Sequence, residues 1–394
     1  MAKTVALTGN VACAQAMRQA DPDVVAAYPI TPQTTIVEEF STYVANGLVN
    51  TEYVTVESEH SAMSASIGAS AAGARVMTAT ASQGLALMWE ELYIASSYRL
   101  PIIMHNVNRT LSGPINIHCD HQDSMGARDS GWIQLFCENA QEAYDTTLQA
   151  VRIAEDHRVK LPVMVCLDGF IISHAIDRLD ILDDDVAAKF VGEFDAPITM
   201  LDANNPITVG PFDGLHGSFF EFRRDQELAT LGSLPVIEEV GKEYGRISGR
   251  EYGLFEAYKL DDADVAIVVL GSTAGTTQVI VDKLRETGVR AGLLKLRSFR
   301  PFPAKRIAKE LAGVKAVAAL DRSLSPGAIG APLFQEIRSA LYDHDSRVPV
   351  LNYIYGLGGR DVSMANIEQV FSDLSQVAET GRTDPIIRYL GLKE

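Results

Sequence analysis

From residue 24 onward, short β-branched apolar runs alternate with longer amphipathic ones, and that alternation restricts the fold more than any other feature of the chain. VVAAYPI (24–30) is followed by TPQTTIVEEFSTYVANGL (31–48), EYVTVE (52–57) by EHSAMSASIGASAAGAR (59–75), and VMTATAS (76–82) by QGLALMWEELYIASSYRL (83–100) and PIIMHNVN (101–108). Strands buried on both faces and joined by crossover helices produce this pattern, so it predicts a parallel sheet with helices on either side. An irregular stretch at 109–131 interrupts it before a helical segment at 141–157 and a further buried strand, LPVMVCLD (161–168). Residues 195–217 are rich in Pro, Gly, Asn and Asp and fit neither period, which makes them a domain exit. A polar helical segment at 219–250 follows, and the alternation restarts at ADVAIVVLG (263–271) and continues through VKAVAALD (314–321). The expected division is 1–235, a linker at 236–260, and 261–394, giving two α/β domains.

Composition removes several functions. The 34 basic and 51 acidic side chains leave a formal charge of −17, and no basic run is long enough to track a phosphate backbone. Nucleic acid is therefore excluded as an expected partner. The longest apolar stretches, such as VAIVVL (265–270), fall far short of a membrane span, and the first fourteen residues make a poor secretory signal, so a cytoplasmic location is expected. Cys13, Cys119, Cys137 and Cys166 form no C-x-x-C pair and no Cys/His group at metal spacing. No metal site or iron–sulfur cluster is expected in this chain.

In a parallel sheet ligands gather where strands end and helices begin, which singles out YPITP (28–32), ESEH (57–60) and ASQG (81–84). Thr31 reads as a helix N-cap with Pro32 at the first helical position, or as a hydroxyl facing a ligand crevice. Glu59 opens a helix, where the dipole alone stabilises an acid, and a functional carboxyl is the alternative. Ser82, Gln83 and Gly84 form a turn whose backbone could approach a ligand, but no phosphate-binding P-loop sequence is present. The segment 108–132 concentrates charged side chains in a long loop. His118, Asp120, His121 and Asp123 could bind a metal there, or satisfy one another by hydrogen bonds. Arg109 could grip a carboxylate bidentately or pair with Asp120, Asp123 or Asp129. The basic stretch 294–310 reads as a solvated helix face, a subunit contact or an anion site, and GLGGRD (356–361) is not a dinucleotide fingerprint.

Taken together, AYPITPQT (27–34), VESEHSAMSASIGASAAGARVMTATASQGLALM (56–88), NRTLSGPINIHCDHQDSMGARDSGWIQ (108–134), LDGFIISH (167–174), KLRSFRPFP (295–303) and LDRSLSPGAIGAP (320–332) closely resemble the alpha subunit of the multi-subunit 2-oxoacid:ferredoxin oxidoreductases, most of all the pyruvate enzymes. The resemblance runs from about residue 5 to 375. It implies a first domain like the pyrimidine-binding half of thiamine-diphosphate enzymes and a second like the transketolase C-terminal domain. It also implies that a partner subunit supplies the half that binds diphosphate and Mg²⁺, and that [4Fe–4S] clusters lie in partners. Beta, gamma and delta subunits, ferredoxin and a small 2-oxoacid are the implied partners, with coenzyme A as co-substrate.

By the same resemblance, Glu59 holds the aminopyrimidine of thiamine through a proton, Arg109 grips the 2-oxoacid carboxylate and Thr31 hydrogen-bonds the substrate. Pro29, Ser82, Gln83 and Gly84 line the cofactor. The implied reaction converts pyruvate and coenzyme A to acetyl-CoA and CO₂, with electrons leaving through the partner clusters to ferredoxin. A small hydroxyl at position 31 and a single Arg fit one carboxylate and a short side chain, whereas a dicarboxylic oxoacid would need a further cation. GPFDGLHGSFFEF (210–222) is less aromatic than the corresponding stretch of the pyruvate enzymes, which leaves branched-chain 2-oxoacids open. A non-redox thiamine-dependent transferase or decarboxylase subunit is the other alternative.

Overall fold

A computed structural model describes residues 3–196, 198–210 and 212–393; Pro197 and Pro211, within the expected domain exit, lie outside the described residues, as do Met1, Ala2 and Glu394. The first half runs β1 (Lys3–Thr8), α1 (Gly9–Ala20), β2 (Val24–Ala27), α2 (Thr34–Ala45), β3 (Glu52–Thr55), α3 (Glu59–Ala71), β4 (Val76–Thr80), α4 (Ser82–Leu87), α5 (Trp89–Ser97) and β5 (Ile102–Asn108). It continues with α6 (Gln122–Gly126), β6 (Ile133–Phe136), α7 (Ala140–Glu155), β7 (Val163–Asp168), β8 (Ile176–Ile181) and α8 (Asp184–Val191). Helix α9 (Phe219–Ser248) leads to β9 (Phe255–Tyr258), β10 (Val265–Leu270), α10 (Thr273–Glu286), β11 (Ala291–Leu296) and β12 (Ser298–Arg300). The chain ends with α11 (Ala304–Leu311), β13 (Ala316–Asp321), α12 (Pro332–Asp343), β14 (Val350–Tyr355), α13 (Met364–Thr380) and β15 (Ile387–Leu390).

The two expected parallel sheets are present. The first has the order β12-β6-β7-β5-β4-β2-β3 and the second β15-β14-β13-β10-β11-β9, with only the edge strands β12 and β9 antiparallel to their neighbours. Every residue of β4, β5, β7, β10 and β13 is buried, which is why these strands read as mainly apolar runs without a regular polar alternation. Each large apolar side chain so buried contributes about 1.5–3 kcal/mol. From β2 the chain steps to β3 on one side and then returns to β4 on the other, so a topological switch point lies between β2 and β4. The loops leaving the carboxyl ends of those two strands, 28–33 and 81, open the crevice where such sheets bind ligands.

The segment 236–260, expected as a linker, contains the second part of α9 and all of β9. It is regular structure because α9 buries Val236, Ile237, Val240 and Tyr244 in the core shared with α7. The basic stretch 294–310 is not a solvated face at its start. Lys295 is buried and bonded to Glu138, Glu142 and Glu256 at 2.6–2.8 Å, while Arg297 is buried against Thr146 and Gln149. Those acids and amides belong mostly to α7 and its entry, so the stretch fastens the second sheet to the first, and β12 completes the join by pairing with β6. Among the described residues no helix is long and apolar enough to cross a membrane.

Candidate active site

Three loops meet at the carboxyl edge of the first sheet. Helix α3 starts at Glu59 because Ser58, in extended conformation, accepts a hydrogen bond from Ser61 N at 3.2 Å, and the Glu59 carboxyl then sits on the positive end of the helix. Glu59 is only 8% exposed, yet its carboxyl has no hydrogen-bond or ion-pair partner among the described residues. It packs directly on Gly84: a Cβ there would lie 2.8 Å from both Cγ and Oε1 of Glu59 and would strike Thr80 Oγ1. Gly84 is thus required by close approach, not by backbone conformation.

Ser82 begins α4 with a left-handed φ of 49°, unusual for a residue with a side chain. Its N–H donates to Asp123 Oδ2 at 3.0 Å, and its hydroxyl lies against Thr110 O and 2.6 Å from Gln83 Oε1. Arg109 follows β5, and its guanidinium donates to Thr31 O at 2.8 Å and to Gln83 Oε1 at 3.2 Å. No carboxylate forms an ion pair with it among the described residues, and its Nε is buried without a partner. Burial lowers its affinity for its proton, while the charges of Asp123 and Glu59 act the other way. The site therefore holds a desolvated guanidinium with free hydrogen-bonding capacity beside an unpartnered carboxyl, an arrangement suited to an anionic ligand that brings its own acceptors.

Arg109 is not paired with Asp120, Asp123 or Asp129: Asp123 takes the Arg109 backbone N–H instead, at 3.0 Å. Thr31 is not an N-cap, and Pro32 is not at the first helical position. The turn before α2 is closed by Gln33, whose side chain accepts from Ile30 N and donates to Ala79 O, so the helix begins at Thr34 and leaves Thr31 and Pro29 exposed on the crevice side of the turn. Glu59, Ser82, Gln83, Gly84, Arg109 and Thr31 are brought together by these contacts.

The four candidate metal ligands do not share a site. His118 is exposed, Asp123 is consumed by backbone and amide donors, and His121 donates from Nε2 to Asp168 Oδ1 at 2.7 Å. Burial raises the Asp120 carboxyl to about 6, and it accepts from Gln122 N. Cys119, His121 and Asp168 do converge, with potential ligand atoms within 4.8 Å of one another. However, Arg322 places Nη1 3.6 Å from Cys119 Sγ and 3.2 Å from Asp168 Oδ2. A divalent ion would have to displace a buried guanidinium, and burial pushes the Cys119 thiol well above its ordinary value, so the group reads as an ionic joint. Asp168 also accepts from the N–H and hydroxyl of Ser272, which ties the end of β7 to the start of α10. The glycines of 356–361 press on the same loop, Gly359 N donating to Cys119 O at 2.7 Å.

Asn108 and Asp168 escaped the sequence reading as site components; their carboxyl-edge position, each the last residue of a buried strand, is the signal that could have found them. Asp123 is a candidate in the sequence only as a metal ligand or an ion-pair partner, whereas it accepts N–H groups from the loops of the site. A cavity of about 670 Å³ lined by Arg338, Tyr342, Arg347 and Val350 lies beside the amino end of β14, the end of a parallel strand opposite to where such sheets bind ligands.

Two family models match: "Pyruvate flavodoxin/ferredoxin oxidoreductase, thiamine diP-bdg" over residues 15–240 and "Pyruvate:ferredoxin oxidoreductase core domain II" over 263–367. The chain is 52% identical to pyruvate synthase subunit PorA of Thermotoga maritima, over 99% of this chain and 98% of that one. It is 46% identical to the PorA subunit of Methanocaldococcus jannaschii, over 100% and 99%. It is also 42% identical to ketoisovalerate oxidoreductase subunit VorA of Pyrococcus abyssi, over 98% and 97%. Among solved structures, a 2-oxoglutarate:ferredoxin oxidoreductase from Magnetococcus marinus superposes with a TM-score of 0.74 at 20% identity. The match covers 95% of this chain and 65% of that one, so the chain spans just under two thirds of its length. A split-gene transketolase gives a TM-score of 0.56 at 13% identity, over 95% and 99%. These two likenesses concern the fold.

Proposed function

The chain belongs to the pyruvate:ferredoxin oxidoreductase family, and from that premise we propose that it is the alpha-type subunit that completes a thiamine-diphosphate site at the carboxyl edge of its first sheet. The observation that carries the reading is the Glu59 carboxyl pressed on Gly84, without a hydrogen-bond partner among the described residues, beside an Arg109 guanidinium whose Nε is buried and unbonded. Both fit the absent group: the carboxyl can bond N1′ of an aminopyrimidine, and the missing side chain at 84 leaves the carboxyl accessible from the crevice. Thiamine diphosphate, when bound, supplies the carbon nucleophile at C2. Glu59 would hold the aminopyrimidine by sharing a proton at N1′, which is the role this chain's carboxyl has in preparing the cofactor for C2 deprotonation. Arg109 receives the 2-oxoacid carboxylate and orients the carbonyl carbon, its other two bonds fixing the guanidinium plane. Thr31 offers a small neutral hydroxyl to the substrate, and Pro29, Ser82 and Gln83 wall the cofactor.

The reaction proposed is oxidative decarboxylation of pyruvate with coenzyme A to acetyl-CoA and CO₂. A partner subunit holds the diphosphate and Mg²⁺, and [4Fe–4S] clusters in partner subunits take the electrons to ferredoxin. The four cysteines are free and buried, and among the described residues the one cysteine in a potential ligand group is Cys119, beside His121 and Asp168. Beta, gamma and delta subunits and a cytoplasmic location complete the proposal, with the first domain running through the end of α9 and the second beginning near 261. A second reading, a branched-chain 2-oxoacid, is favoured by the ketoisovalerate relative at 42% identity.

Anaerobic purification of the native complex, followed by a 2-oxoacid panel with a viologen acceptor, tests the reading. Pyruvate should reduce the dye fastest and only with coenzyme A present. First rank for 2-oxoisovalerate would select the second reading, and turnover without dye reduction would refute the redox chemistry.

A further inference from the structure

Asp123 lies on α6, is 3% exposed, and has all four acceptor positions of its carboxylate filled. Oδ2 receives Ser82 N and Arg109 N, each at 3.0 Å; Oδ1 receives Asn108 Nδ2 at 2.8 Å and Ser124 N at 2.7 Å. One oxygen therefore spans the first turn of α4 after β4, which carries Ser82, Gln83 and Gly84, and the loop after β5, which carries Arg109. We propose that Asp123 is the positioning residue that fixes the separation between the cofactor-lining turn at 82–84 and the substrate-gripping Arg109, and that it does so only as a carboxylate. This rests on the assignment of Arg109 and the 82–84 turn made above.

The chemistry specifies an acid. All four neighbours are N–H donors, so an amide at this position would turn one of its own N–H groups toward two of them and lose either the bridge between the loops or the tether to Asn108. The bridge also holds Ser82 in its left-handed conformation, which the side chain at that position disfavours. The strut extends in two directions. Asn108 O accepts from Gly169 N, and Gly169 packs on Pro32, so the third loop, with Thr31, rests on the same support. Two residues earlier on the same segment, His121 N donates to Arg322 O at 2.7 Å and its ring meets Asp168, so the second domain holds the other side of the strut. Asp123 touches neither substrate nor cofactor in this account; it sets where the groups that do so stand.

The test uses the assembled complex with Asp123→Asn, Asp123→Ala and, in parallel, Arg109→Lys. Asp123→Asn should raise the pyruvate KM and the thiamine diphosphate requirement together, by roughly ten- to hundredfold, the scale of an ångström-sized misplacement. Formate should partly restore both constants in Asp123→Ala, because it can return a carboxylate to the vacated space, and should have no effect on Arg109→Lys. A residue that merely supports folding would lower the melting temperature and leave both constants alone. Constants within twofold of wild type in folded Asp123→Asn, with Arg109→Lys impaired, overturn the proposal while sparing the reading of Arg109. An unimpaired Arg109→Lys overturns the reading itself, and the proposal with it. If neither Asp123 variant assembles, Asn108→Ala decides: loss of one donor to Oδ1 should raise the pyruvate KM several-fold, and an unchanged KM overturns the proposal.

Discussion

Replacing Gly84 by alanine adds one methyl group at the point where the Glu59 carboxyl is closest to backbone. That methyl would stand 2.8 Å from Glu59 Cγ and Oε1, where ordinary contact begins at 3.4 Å, and would also strike Thr80 Oγ1. The Thr80 hydroxyl has no hydrogen-bond partner to lose, but Thr80 is fully buried and β-branched, so it too resists the added methyl. The Glu59 Cγ and Oε1 are both too near as well, and as the more flexible side chain Glu59 yields, so its carboxyl must leave its place. Overpacking of this kind costs about 1–3 kcal/mol, which in a domain of this size lowers the melting temperature by roughly 2–10 °C. The larger effect should be on turnover, because a catalytic group displaced by about an ångström loses roughly a hundredfold. Steady-state dye reduction at saturating pyruvate, with melting of the same complex, reads both quantities. Gly68→Ala is the control, since Gly68 lies on the exposed side of α3, the helix that Glu59 opens, with nothing near its Cβ position. It should be neutral to stabilising and leave turnover unchanged. Wild-type turnover in Gly84→Ala would refute the placement of Glu59 as the proton-sharing group.

Arg109→Lys should raise the pyruvate KM by about ten- to hundredfold, equivalent to roughly 1.5–3 kcal/mol, because an ammonium keeps the charge but loses the planar grip; an unchanged KM in steady-state kinetics removes Arg109 from the substrate site. Asp168→Asn should destabilise the protein by about 3–5 kcal/mol at neutral pH, since it leaves Arg322 buried without its acid. Burial alone would raise the Asp168 carboxyl, but Arg322 and His121 outweigh it and hold the group well below the usual carboxylate range. A depressed pKa contributes stability that is present above the unfolded value and lost as pH falls through the folded one, so the gap between wild type and variant should narrow below about pH 4. A gap that stays constant in unfolding measurements from pH 7 to pH 3 contradicts the ionic-joint assignment.

What the sequence made legible follows from how locally each feature is encoded. The strands β2, β4, β5, β7, β10, β11 and β13 could be read because burial on both faces writes itself as a mainly apolar run without alternation, while β3, with no buried residue, could be read only from its place in the repeating strand–helix order. The corners at Glu59 and Ser82–Gly84 could be found because they sit where those runs stop. The first strand and helix were not read. β1 is half exposed, and Gly9 and Asn10 look like breakers, whereas Gly9 lies against Ile172 O and Asn10 donates to Pro32 O at 2.7 Å. The pairing of β12 with β6 is a three-residue contact between residues far apart in sequence, and no period encodes it. Charge misled twice, because Lys295 and Arg297 look solvated until the acids and amides of α7 are set against them. QGLALMWEELYIASSYRL (83–100) gave no sign of its break at Met88 into two helices. The roles of Asp123 and Asp168 depend on donors contributed by several loops, which spacing along the chain does not contain.

The central claim is that Glu59 shares a proton with the cofactor ring, and hydrogen–deuterium exchange at thiamine C2 tests it most directly. In the assembled complex, Glu59→Gln preserves shape and removes the shared proton, so exchange followed by NMR after acid quench should slow by about two to four orders of magnitude, with the subunits still associated. Exchange at the wild-type rate in that variant, with cofactor bound, would contradict the account.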